Sequence, residues 1–231
     1  PNHPDVATIL ENLAGLLINN KQPENAISAL NRSLDIQSGW LLRELPLMPD
    51  QARSGQLHQL GIAWQWPFAW IQDYPHTTQL ALKTRLNRQG LLPEIEQRQR
   101  LLLNTPAVDR SKVEQLQSLT RQLASVSLVA DHRTEVRKQR DKLQAEIYHQ
   151  IPELQLQLVT TAEVAKALPA EGVLVEFQRY QPFDSHKPSN QRWGAAQYIA
   201  LVLKSKGSIS SVPLGPADKI DALVHKTLSA S

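Results

Sequence analysis

The sequence predicts a mostly α-helical protein that closes with a small, incomplete α/β region carrying a few strands. Three observations predict it. Apolar residues recur at three- and four-residue spacing through most of residues 4–151. The later runs "GVLVEFQRY" and "QYIALVLK" are instead dense in β-branched and aromatic residues, as strands are. Pro152 stops the helical pattern between the two regimes. The expected division is a helical hairpin over 1–37, a helical connector over 38–151 and strands followed by a helix over 152–231.

In the first part, Ile9, Leu10, Leu13, Ala14 and Leu17 make one apolar stripe. Ala26, Ile27, Ala29, Leu30, Ser33 and Leu34 make the facing stripe of a second helix, joined to the first at Lys21–Pro23. The small residues Ala14, Ala26 and Ser33 let two backbones approach closely.

The connector carries an aromatic cluster in "LHQLGIAWQWPFAWI". At about 100° per residue, Trp64 and Phe68 share one face while Trp66 and Trp70 lie nearly opposite. A helix apolar on both faces is usually buried between neighbours. Packing is therefore the first reading, and a partner surface made by Trp64, Trp66 and Trp70 is the second. Pro67 is expected to kink or interrupt this helix. Arg85, Arg88, Arg98 and Arg100 read as a solvated helix face, since Glu94 and Glu96 interrupt the run.

Asp109 to Ile151 reads as a long antiparallel hairpin. One seam is Val113, Leu116, Leu119, Leu123 and Val126; the other is Val136, Leu143, Ile147 and Ile151, with "ADHRT" as the turn. Beyond Pro152, "LQLQLV" alternates as a short strand does. "TTAEVAKALP" offers a Thr N-cap, a short helix and a proline stop. Tyr198–Leu203 is apolar on both faces, so it is expected at the centre of a sheet, paired with Ile209–Leu214 through "KSKG". A final helix starts at Pro216, with Ile220, Leu223, Val224 and Leu228 on one face.

The 231 residues are 41% hydrophobic and 20% charged, with a net charge of +3, as in ordinary globular proteins. Lys and Arg are spread along the chain, which argues against nucleic acid or a membrane surface as partner. Protein or peptide partners are expected, and no cofactor. No run of eighteen apolar residues occurs, so no transmembrane helix is expected. "PNHPDV" does not read as a signal peptide; a cytoplasmic location is expected, and the opening proline suggests a chain cut from something longer. Cysteine is absent, which excludes disulfides, Cys-ligated zinc and a thiolate nucleophile within these residues.

The first 37 residues resemble a tetratricopeptide repeat of the kinesin-light-chain type. Leu10, Leu13, Ala14, Leu17, Ala26, Leu30 and Ser33 occupy its pattern positions, although Leu17 stands where an aromatic is usual and Leu30 where Phe is common. Such units need about three or more neighbours to form a stable stack, so the resemblance implies the last repeat of an array. An ordinary helical hairpin is the alternative. "TRLNRQGLL", "LVEFQRYQPFD" and "YIALVLKSKGSISSVPLGPADKIDALV", in that order, resemble the entry to a CHAT domain, a caspase-like peptidase domain found downstream of such repeats. That resemblance implies an α/β core with a His–Cys dyad lying farther along the domain, so no catalytic residue maps onto this chain.

Asp184, Ser185 and His186 sit together in the polar segment between the two strand runs. Neighbouring residues rarely line up as nucleophile, base and orienter, and two ligands make a thin metal site. Recognition by this loop, or a solvated strand connection with Tyr180, Phe183 and Trp193 packed at its base, are the remaining readings.

Three functional readings follow. The first is a non-catalytic fragment that makes protein–protein contacts and positions a peptidase core. The second is part of an active cysteine endopeptidase when the full-length chain is present. The third is a self-contained helical adaptor that binds a peptide.

Overall fold

The structure is a computed structural model, described here for residues 3–48, 50–59, 63–102, 109–124, 130–150 and 156–229. Its elements run in the order α1 (Pro4–Asn19), α2 (Pro23–Glu44), α3 (Asp50–Gln59), α4 (Trp66–Ala69), α5 (Thr78–Arg88), α6 (Leu91–Leu102), α7 (Arg110–Ala124), α8 (Ala130–Gln150), α9 (Thr161–Ala167), β1 (Val173–Tyr180), β2 (Gln197–Lys204), β3 (Ile209–Pro216) and α10 (Ala217–Ser229). The described residues are thus mostly helical with a small antiparallel sheet. The chain forms two compact units: Pro1–Ser38, Leu60–Gln89 and Val159–Ser231 in one, Gly39–Gln59 and Gly90–Leu158 in the other.

In the first unit α1 and α2 pack through small residues, as their spacing predicts. Ala14, Ala26 and Ser33 are fully buried, and the Ser33 hydroxyl donates to the Ala7 carbonyl at 2.9 Å. The reversal between them places Lys21 at φ 59° and lets the Gln22 N–H return to the Leu17 carbonyl at 2.9 Å. The expected stripe of α1 is corrected in part. Ala7, Ala14 and Ile18 face α2, whereas Ile9 and Leu13 are exposed together with Leu16. One helix thus carries two apolar faces, and the described structure covers only one.

Two cores meet at α4 and α5. Ala69, Trp70 and Leu80 join the α1–α2 core, while Phe68, Ile71, Ala81 and Leu82 join Tyr180, Ile199, Leu201 and Leu203 of the sheet. Trp64 touches both cores. A helical segment between two layers must be apolar all round, which is the pattern its sequence shows. Of the two expected outcomes, a kink or an interruption, the structure shows the second: no continuous helix runs through Pro67. Pro67 stands in the first turn of α4, after a 3-10 turn over Ala63–Gln65, where its missing N–H would have had no partner anyway.

The sheet has the order β1-β2-β3, with β2 central as expected. Antiparallel register sets Val175 opposite Val202 and Ala200 opposite Val212. β3 is an edge strand and holds Pro213, whose lack of an N–H is tolerated there. The β2–β3 turn closes with Gly207 at φ 84°, a left-handed conformation that glycine adopts without steric cost. One face of the sheet is the core described above. The other presents Val173, Val175, Phe177, Val212 and Leu214, all exposed, with Phe177 at 56%. α10 contacts β2 and β3, and the Tyr198 hydroxyl donates to Asp221 at 2.8 Å. The apolar stripe predicted for α10 is also open: Leu223 is 65% exposed and Leu228 69%.

"LQLQLV" is not a strand over its described residues, 156–159. The Val159 N–H donates to Asn87 Oδ1 at 2.8 Å, and its carbonyl accepts from Asn87 Nδ2 at 2.9 Å. One side-chain amide thus does the work of a ladder partner. α9 has the predicted cap: Thr160 and Glu163 form a reciprocal capping box.

In the second unit α7 packs on α8. Leu116, Leu119, Val136, Leu143 and Ile147 are buried together, flanked by Val113 and Leu123. Val126 and Ile151 of the expected seams lie outside the described residues. "ADHRT" is not a turn. It forms the first turn of α8, and Arg133 Nη1 donates to the Leu123 carbonyl at 3.3 Å. Polar residues suit a helix start as well as a turn, so composition alone misplaced it.

Candidate functional site

Trp66 and Trp70 build one wall of an open cleft of about 340 Å³ in the first unit. Residues four apart on a helix lie one above the other. The Trp66 and Trp70 rings accordingly pair at 5.4 Å between centroids with a 41° tilt. α1 supplies the opposite wall through Asn12, Gly15, Leu16, Ile18 and Asn19. Gly15 lets α1 approach closely there: a Cβ would come within 3.1 Å of the Trp66 ring edge, which would have to give by a few tenths of an ångström.

The polar segment after β1 completes the cleft. Phe183 and Trp193 form an isolated antiparallel bridge, with ring centroids 5.0 Å apart at 64°. The Phe183 N–H donates to the Ala69 carbonyl at 3.2 Å, which ties the loop to α4. Four aromatic rings thus converge on one opening, and no lining residue carries a formal charge. The Trp66 indole N–H is buried and finds no hydrogen-bond acceptor among the described residues.

Trp64, expected with Trp66 and Trp70, is not part of the cleft. Its ring meets Phe68 edge-on at 6.3 Å, and the Arg88 guanidinium lies 6.0 Å from its centroid. Arg88 is buried, and desolvation lowers its pKa to about 10, partly offset by the Glu11 carboxylate. Arg88 Nη2 donates to Gln37 Oε1 at 2.5 Å; Gln37 Nε2 donates in turn to Glu11, which also accepts from the Ser33 hydroxyl at 3.1 Å. Burial raises the Glu11 pKa, against the lowering effects of Ser33 and Arg88.

The solvated basic face expected on the connector is therefore corrected at two positions. Arg88 belongs to this network. Arg85 Nε donates to Glu176 Oε2 at 3.1 Å, and Arg85 Nη1 to Gln178 Oε1 at 2.9 Å, on the covered side of β1. Arg98 pairs with Glu94 one turn away at 2.7 Å, as on a solvated face, and the Arg100 side chain lies outside the described residues.

Asp184, Ser185 and His186 do not assemble a hydrolytic site. Asp184 Oδ1 accepts the His186 backbone N–H at 2.9 Å, and that bond first, then His186 and Lys187, holds its carboxyl below the usual range. His186 Nδ1 lies 3.3 Å from the same oxygen, on an exposed turn, with no serine hydroxyl bonded to it among the described residues. Among the described residues no group of three His, Asp or Glu is placed to hold a metal. No described helix is long and apolar enough to cross a membrane.

No family model, no curated protein and no solved structure matches this chain.

Trp66 and Trp70 were legible as a pair from their spacing. Gly15, Phe183 and Trp193 were not legible as cleft residues, because tertiary contact alone brings them to the pair.

Proposed function

We propose that this chain is a non-catalytic part of a tetratricopeptide-repeat CHAT protein, which makes protein–protein contacts and positions a caspase-like peptidase core. The observation that carries this reading is the far side of the sheet, which α10 touches at Tyr198 but which stays apolar and exposed elsewhere. Val173, Val175, Phe177, Val212 and Leu214 lie exposed on one face, and the Leu223, Val224 and Leu228 stripe of α10 is exposed as well. Contiguous apolar surface of this kind marks an interaction site more often than plain solvent contact. A sheet covered on one face by helices and apolar on the other is half of an α/β layer structure. Peptidase chemistry of the caspase kind needs a thiolate, and the 231 residues contain no cysteine, so the reacting groups would come from elsewhere in the protein.

The test is the reading frame on the 3′ side of the codon for Ser231. The expected result is further strand and helix patterns with one histidine and one cysteine at strand ends. A stop codon there, with no such sequence, contradicts the reading.

A further inference from the structure

The aromatic cleft does not end at Leu16. Leu16, Leu13 and Ile9 recur at three- and four-residue spacing on α1, and all are exposed, at 62, 42 and 65%. Because Leu16 also lines the cleft, the aromatic floor continues into an apolar stripe along the helix. Seven residues at 1.5 Å rise make that stripe about 10 Å long. A compact ligand fills the cleft and leaves the stripe wet, whereas an elongated one covers both. Polyproline II advances about 3.1 Å per residue, so three or four residues span the stripe.

The polar groups agree with an extended chain. The Asn12 amide makes no hydrogen bond among the described residues, and Asn19 spends only its Oδ1, on Arg192. Both amides keep donors for peptide carbonyls, which polyproline II leaves unbonded. Charge gives the direction. Arg192 donates to Asn19 Oδ1 at 3.2 Å and to the Lys187 carbonyl at 3.0 Å, and no carboxylate pairs with it among the described residues. An uncompensated guanidinium beside an uncharged cleft favours an anion on the occupant and disfavours a cation.

We propose that the Trp66–Trp70–Phe183–Trp193 cleft binds an extended, proline-bearing apolar peptide whose acidic end meets Arg192. Proline rings pack on aromatic floors in grooves of this type and carry a low ordering cost. The proposal deepens the interaction role given above but uses a different surface from the open sheet face. Failure of peptide binding therefore leaves the sheet-face reading standing, and a stop codon after Ser231 leaves the cleft standing.

The experiment is fluorescence polarisation with the whole chain and three labelled probes. One is a short proline–leucine peptide ending in Asp-Glu, the second the same peptide ending in Lys-Lys, and the third a glycine–serine peptide ending in Asp-Glu. Saturable binding is expected for the first alone. Trp193→Ala, at a position 38% exposed, is expected to weaken it about tenfold or more. Arg192→Glu is expected to invert the preference between acidic and basic ends. Leu16→Glu, on the exposed stripe, is the second variant should Trp193→Ala fail to fold, and is expected to weaken binding as well. Equal binding of the glycine–serine probe, absence of binding, or indifference to these variants overturns the proposal. So does a dimer that Leu16→Glu breaks into monomers, which would assign the cleft to a second copy.

Discussion

Glu11, Gln37 and Arg88 form a chain of side chains inside the first unit, with Ser33 beside them. Desolvation dominates at both charged ends: it raises Glu11 and lowers Arg88. A carboxyl whose folded pKa lies above its unfolded value binds protons more readily in the folded state. Its contribution to stability is therefore fully present below the unfolded pKa and is lost as pH rises through the folded one. Glu11→Gln mimics the protonated form. It is expected to melt at or above the temperature of the wild type at neutral pH, and the difference is expected to vanish as pH falls into the ordinary carboxylate range. Melting curves of both proteins across that range check this; a Glu11→Gln protein that melts lower at neutral pH contradicts it. Arg85 differs in kind, because it reaches Glu176 and Gln178 on the covered side of β1. Neither arginine looked different from Arg98 in the sequence. Their burial depends on which neighbours α5 meets, and helical spacing within α5 does not encode that.

Among the elements, α9 is set by local chemistry. The Thr160 hydroxyl accepts from the Glu163 N–H at 3.2 Å, and Glu163 accepts from both the Thr160 N–H and hydroxyl. Those two Thr160 bonds hold the Glu163 carboxyl below its usual range, so its contribution is present above the unfolded pKa and is lost as pH falls. Thr160→Ala is expected to cost about 1 kcal/mol in chemical denaturation, and Thr160→Ser distinctly less. An equal loss from both would contradict the capping role. Signals of this local kind were legible beforehand: the cap, the "KSKG" turn, the central strand β2, and the buried seam of α7 and α8. Elements whose form depends on distant partners were not. The alternation of "LQLQLV" imitates a strand, yet Asn87 takes the Val159 backbone groups. Pro67 reads as a breaker and does interrupt the run, but the 3-10 turn before it and the short helix that begins there were not legible.

At the scale of the whole molecule, apolar residues divide between those that hold the first unit together and those left facing outward. Leu201 is fully buried, and Leu201→Ala is expected to cost about 2–5 kcal/mol. Phe177 on the open face is 56% exposed, and Phe177→Thr, which keeps strand propensity, is expected to change stability by less than about 1 kcal/mol. Comparable losses at both positions would mean that the open face already belongs to the core. The docking role of that face is tested most directly by amide hydrogen exchange. The exchange of this chain is compared with that of the same chain expressed with the residues its reading frame encodes on either side. Slower exchange is predicted at β1 and in α10 between Leu223 and Leu228 in the longer protein, with α5 and β2 unchanged. Identical exchange at β1 and α10 in the two proteins would contradict the account.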